Sequence, residues 1–257
     1  MSVLAFLKSP VVSRKRRIFP NTDPRDPEVR LTLRSELFLI AHDDETGREH
    51  VDRQSLVLAL AGSLLLELCA DQRILIGKRF DTRTARYHPD PRRITITEPA
   101  PYGDPLTDAA MTQLKKTGGP IYVSDFIRQF ATLDLYDRVQ GDMLAIGVLR
   151  RATRRRFGLF TKDVYLPVKK AYPVRIRTWL RNLAKPRNRM DPHPDFPNMQ
   201  TVALAGLATA LGLTRNLYYP EPGVLHGKLM DLITGTYDST IRDVHNEINP
   251  TNRRYVR

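Results

Sequence analysis

Residues 56–70, LVLALAGSLLLELCA, leave the chain few ways to fold. Apolar side chains fill nearly every position, broken only by Gly62, Ser63 and Glu67. A helix that is apolar on all sides is either the centre of a globular core or a membrane span. A span needs roughly 20 consecutive apolar residues. This run is closed by Asp52 and Arg53 on one side and by Asp71 and Arg73 on the other. Leu, Ala and Glu favour helix, and β-branched residues are almost absent. The stretch is therefore expected to be the buried central helix of a soluble protein.

A chain of 257 residues can bury a substantial core around such a helix. Its one cysteine, Cys69, lies inside the apolar run, which excludes a disulfide framework or a cysteine-based metal site within this sequence and fits a reducing compartment. Charge is distributed unevenly. Between Arg150 and Arg189 there are fourteen bases against the single acid Asp163, a segment charge of +13 that equals the formal charge of the whole chain. A field concentrated in this way implies an anionic partner: nucleic acid, an anionic membrane surface or a phosphorylated ligand. The basic run at residues 14–17 follows the mildly apolar start instead of preceding it, which is not the order of a secretory signal.

Residues 1–28, rich in proline and charge, read as a basic, partly disordered arm, and 249–257 as a basic tail. Between them, 29–248 read as one domain. Thr32 is a candidate N-cap for a helix carrying Leu37, Phe38 and Ile40, and residues 43–47 (DDETG) read as a turn with Gly47 at positive φ. Beside His42, the carboxylates Asp43, Asp44 and Glu45 lack metal-ligand spacing, so a solvated turn is the expectation. Residues 74–77 are expected to pair as a strand with 93–97, and helices are expected over 105–116, 121–131 and 133–149. In RRATRRRFGLFTKDVYLPV, two β-prone runs flank Thr161-Lys162-Asp163, predicting a hairpin over 157–165 with Phe157, Leu159 and Phe160 exposed among arginines. Pro173 opens a helix with Ile176, Trp179, Leu180 and Leu183 on one face and Arg177, Arg181 and Lys185 on another. After the proline-rich 185–198, where His193 sits between Asp191 and Asp195, residues 201–213 form a second apolar helix that is expected to pack on the first. A last helix covers about 223–248.

No glycine-rich dinucleotide loop, Walker sequence, His-Glu-x-x-His or Gly-x-Ser-x-Gly motif occurs in the sequence, and the six histidines show no ligand spacing. The expectation is a non-enzymatic protein with no cofactor and no metal.

LTLRSELFLIAHDDETGREH followed by LALAGSLLLELCADQRILI resembles the Golgi phosphoprotein 3 family, whose members open with an LTL-x-E-E-LLLL-x-DD-x-x-G segment and continue into a GL-x-G-x-LL-x-ELAL helix. GDMLAIGVLRRATRRRFGLFTKDVYLPV and MQTVALAGLATALGL extend the similarity over roughly 29–247. The resemblance implies a mainly α fold: a compact helical domain with a four-helix core, amphipathic helices around it and a projecting β-hairpin. It also implies a phosphatidylinositol 4-phosphate-binding peripheral membrane protein whose hairpin oligomerises or inserts. Ala61 stands where eukaryotic members carry a central-helix Arg, and about Asp52 where they carry the pocket Trp. Two further pocket arginines fall near Leu133 and Tyr136, with Arg138 the nearest base. The specific head-group pocket is therefore expected to be absent or rebuilt, which points to a bacterial member.

The resulting expectation is a cytoplasmic adaptor, peripheral on the inner membrane surface. Anionic phospholipid or phosphoinositide head groups would bind Arg138, Arg150, Arg151, Arg154, Arg155, Arg156, Lys169, Lys170, Arg175, Arg177 and Arg181. Phe157, Leu159, Phe160 and Trp179 would insert or join copies into a homo-oligomer. Nucleic-acid binding through the same basic stretch, or a protein–protein scaffold, are the alternatives.

Overall fold

The chain is mainly α-helical in a computed structural model that describes residues 31–84, 86–101, 103–156, 160–184, 199–217, 220–235 and 239–249. Along the chain run α1 (Leu33–Ile40), α2 (Arg53–Ala70), β1 (Ile74–Asp81), β2 (Arg86–Ile96), α3 (Pro105–Lys116), β3 (Ile121–Tyr122), α4 (Val123–Phe130) and α5 (Leu133–Ala145). Then follow β4 (Leu149–Arg156), β5 (Phe160–Pro167), α6 (Ala171–Leu183), α7 (Met199–Ala210), a short 3-10 helix (Leu213–Leu217), α8 (Pro222–Gly235) and α9 (Ser239–Ile248). The expected arm at 1–28, most of the tail, the His193 loop, and the hairpin residues Phe157 and Leu159 lie outside the described residues.

Helix α2 is the axis. Asp52 caps it, its carboxylate accepting from the Ser55 N–H at 2.8 Å. By length and composition α2 could cross a membrane, yet most of it is buried within the protein, where it packs against α1, α4, α5, α7 and α9. Two glycines let α9 approach closely. A Cβ at Gly62 would stand 2.6 Å from Ile248 Cδ1 and 2.9 Å from Val244 Cγ1, and one at Gly206 of α7 would stand 2.7 Å from Ile241 Cγ2. Helix α9 thus seals the seam between the two apolar helices, which do pack on each other.

Glu67, the one charge inside the apolar run, is held by Arg34 of α1. The Arg34 guanidinium pairs with Glu67 and with Asp104, the N-cap of α3, and the Arg34 backbone N–H donates to Glu67 Oε1 at 3.0 Å. Arg34 and Glu67 are both buried, so neither charge is left alone in the core. At the far end of α2, buried Arg73 pairs with Asp108 at 3.0 Å and donates to the Ala100 carbonyl at 2.6 Å.

The strands depart from expectation in two places. β1 and β2 pair antiparallel with Ile74 opposite Ile96, as expected, but continue past an irregularity, where residues 90–93 of β2 stand against Gly77, to Asp81 opposite Arg86. The second hairpin is displaced from its expected position. β4 pairs with β5 from Leu149 opposite Pro167 to Arg156 opposite Phe160, so the arginine run forms the first strand and Thr161-Lys162-Asp163 lies within the second. Correspondingly α5 stops at Ala145, four residues before the expected end. Gly147 adopts φ +72°, and the Val148 carbonyl accepts from the Val168 N–H at 2.9 Å. Residues 146–149 are apolar enough to continue a helix, but pairing with the chain beyond β5 draws them into the sheet.

Candidate head-group site

The turn between α1 and α2 builds the site. Asp43 closes it, accepting from the Thr46 hydroxyl at 2.6 Å and the Thr46 N–H at 2.7 Å, bonds that hold its carboxyl below the usual range. Gly47 at φ +66° lies against β5, where a Cβ would meet the Tyr165 carbonyl at 3.0 Å. Asp44 receives a two-pronged contact from Arg177 of α6, at 2.6 and 2.8 Å. These contacts clamp the turn to the β4–β5 hairpin and to α6. The three carboxylates are therefore spoken for, since Glu45 pairs with Lys170 at 3.3 Å.

Between this turn, the start of α2, α5 and the β4–β5 hairpin opens a groove of about 770 Å³. Arg48, Arg53, Arg154, Glu49, Asp137, Asp163, Tyr136, Gln140 and Tyr165 line it. Arg53 lies 4.0 Å over the Tyr136 ring and donates from Nε to Glu49 Oε1 at 2.9 Å. Asp163 is paired with Arg151 across the strands. Arg48 has no carboxylate partner among the described residues, and Arg154 donates to the Glu45 carbonyl. Two of the three acids are thus matched internally, and the groove also holds Arg48 and Arg154, neither with a carboxylate partner among the described residues, together with Asp137 and Gln140.

Beneath the groove, Tyr136 is buried and its hydroxyl lies 3.0 Å from His42 Nε2 and 3.3 Å from Glu49 Oε1. His42 Nδ1 lies 2.7 Å from the Phe38 carbonyl, which accepts, so Nε2 of the neutral imidazole is an acceptor and shares the one Tyr136 hydroxyl proton with Glu49 Oε1. Burial pushes the Tyr136 phenol up and the His42 imidazole down from their ordinary values.

The basic residues singled out in the sequence do not form one surface. Strand alternation turns Arg150 and Arg154 to one face of β4 and Arg151 to the other. Arg155 and Arg156 are placed only by their register opposite Thr161 and Phe160. Arg150, Lys169 and Lys170 are exposed near the same hairpin. Arg177, expected on a solvated face, is 2% exposed and committed to Asp44, so it positions α6 and does not meet a ligand. Arg175 lies 5.2 Å from the centroid of half-buried Trp179, and Arg181 donates to the Thr178 hydroxyl at 2.9 Å. Arg138 sits elsewhere, pairing with Asp134 at 3.7 Å and lining a separate cavity with Leu64, Leu106 and Phe130.

Ala61 is fully buried in α2, and Asp52 serves as a helix cap. Sequence reasoning missed Arg48 and Arg53. Both lie close to Asp52, which the resemblance sets at the place of a pocket Trp; Tyr136, by contrast, enters the sequence reading only as the position of a replaced arginine.

No curated protein matches the chain. A protein-family model described as Golgi phosphoprotein 3 (GPP34) matches residues 33–239, which takes in every groove residue named above. The match covers most of the sequence, and the chain belongs to the Golgi phosphoprotein 3 (GPP34) family.

Proposed function

We propose that this protein is a non-catalytic peripheral membrane protein of the cytoplasmic face, which recognises a phosphorylated lipid head group in the groove beside β4 and β5. The observation that carries the reading is the pair Arg48 and Arg154, which converge on one groove without a carboxylate partner among the described residues. Guanidinium groups bind phosphate through planar, two-pronged hydrogen bonds. Asp137 and Gln140 supply acceptors and donors for head-group hydroxyls. Exposed Arg150, Lys169 and Lys170 add attraction toward an anionic bilayer, about 1 kcal/mol for each base near the surface. Family membership supports the same reading. In its finer form the reading has a four-helix core as the scaffold, with the end of the β4–β5 hairpin as the part that projects, inserts or joins copies.

Co-sedimentation with vesicles of neutral lipid, of anionic lipid and of anionic lipid containing a phosphoinositide tests it. Binding that increases in that order is the expected result. Equal partition to all three, or binding only to RNA with steep salt dependence, would sink the reading.

A further inference from the structure

The outer half of the β1–β2 hairpin has no role in the core or the groove. The buried cluster ends at Ile76 and Ile94, on the inner side of the irregularity at Gly77. Beyond it Lys78 stands opposite Pro89, Phe80 opposite Tyr87 and Asp81 opposite Arg86. Alternation therefore puts Lys78, Phe80, Tyr87 and Pro89 on one face. Phe80 and Tyr87 are 44% and 47% exposed, and their rings pack 5.1 Å apart at 57°. Lys78 on that face, Arg83 in the turn and Arg86 at the hairpin end on the opposite face are all exposed. The nearest acid, Asp81, is turned into the hairpin end, accepting from the Arg83 N–H at 2.9 Å and lying 3.8 Å from His88.

We propose that this hairpin is a second membrane contact, separate from the groove. Phe80 and Tyr87 enter the interfacial layer of an anionic bilayer while Lys78, Arg83 and Arg86 engage lipid phosphates. The inference rests on the reading of the protein as a membrane-surface binder. Charge selects the occupant: a second copy would bring like-charged hairpins together, whereas an anionic surface complements them. The aromatic geometry points the same way. The two rings are inclined on each other at 57° and not set as parallel, evenly spaced platforms of the kind on which successive nucleic-acid bases stack. An aromatic pair flanked by Lys and Arg is the composition that settles at a membrane–water interface.

A fluorescent reporter tests this directly. Phe80→Trp is combined with Trp179→Phe, so that the introduced indole is the sole Trp of the 257-residue chain. The full chain is then titrated with phosphatidylserine-containing vesicles carrying brominated acyl chains. The expected result is a blue shift and strong quenching, with Phe80→Ser plus Tyr87→Ser lowering vesicle affinity about tenfold while leaving the melting temperature unchanged. Vesicle binding without quenching overturns the hairpin contact and leaves the groove reading intact. A blue shift that depends on protein concentration without vesicles, or one induced by RNA alone, overturns it in favour of a copy or a nucleic acid. Absence of any binding to these vesicles by the unaltered chain overturns the hairpin contact, whereas the groove reading stands or falls on the phosphoinositide-containing vesicles.

Discussion

Beneath the groove, the Tyr136 hydroxyl has one proton and two acceptors, His42 Nε2 at 3.0 Å and Glu49 Oε1 at 3.3 Å. Protonating His42 would place a cation in a buried site, and burial lowers its affinity for that proton. The same holds for His50 and His245, both shifted down by burial. The unfolded chain then binds more protons than the folded one below about pH 6.5, so these groups make stability fall as pH drops through that value. Thermal melts between about pH 7 and pH 5 are expected to show this decline, and His42→Phe is expected to flatten part of it. A slope unchanged in His42→Phe would show that the imidazole titrates alike in both states. Glu67 presents the opposite case of a charge that stays buried because it is paired. Glu67→Gln leaves Arg34 with only Asp104 and is expected to cost about 3 kcal/mol in denaturant unfolding. None of these partnerships is legible locally, because Arg34 and Glu67 are 33 residues apart and His42 and Tyr136 are 94 apart.

Helix α2 was legible because its signal is internal: a run apolar on all sides has to be buried, and Asp52 is well suited to cap it. The Thr32 cap and the turn at Gly47 followed from equally local chemistry. The end of α5 and the placement of β4 did not. Val148 and Leu149 suit a helix or a strand, and arginine has no strong strand preference, so the decision falls to pairing with β5. The approach of α9 shows how narrow such tertiary tolerances are. Gly62→Val would drive methyl groups into Ile248 and Val244, at an expected cost of roughly 2 kcal/mol or more. Gly141, mid-way along α5, gives the contrasting case, since a Cβ added there would meet nothing within 4 Å. Gly141→Ala is expected to stabilise the protein by up to about 1 kcal/mol. Urea denaturation of the two variants reads both effects, and a stable Gly62→Val protein would mean that α9 is not tightly seated.

Across the whole molecule, the excess charge of residues 150–189 pointed to an anionic partner without giving the shape of the site. The fold divides those bases by role: Arg177 joins α6 to the turn, Arg151 holds Asp163, and Arg154 reaches the groove. The groove's other cation, Arg48, comes from a turn more than 100 residues earlier in the chain. Linear charge density therefore pointed to a class of partner, whereas the proposed groove takes one base from that segment and one from outside it. The central claim is that Arg48 and Arg154 together hold the head group, and the most direct measurement is the vesicle affinity of Arg48→Ala plus Arg154→Ala beside that of Arg128→Ala. Arg128 is an exposed base outside the groove, paired with Asp125. At about 1 kcal/mol for each engaged arginine, the double variant is predicted to bind anionic vesicles roughly 30-fold more weakly, with Arg128→Ala close to unchanged. Equal affinities for the double variant and the unaltered chain would contradict the account.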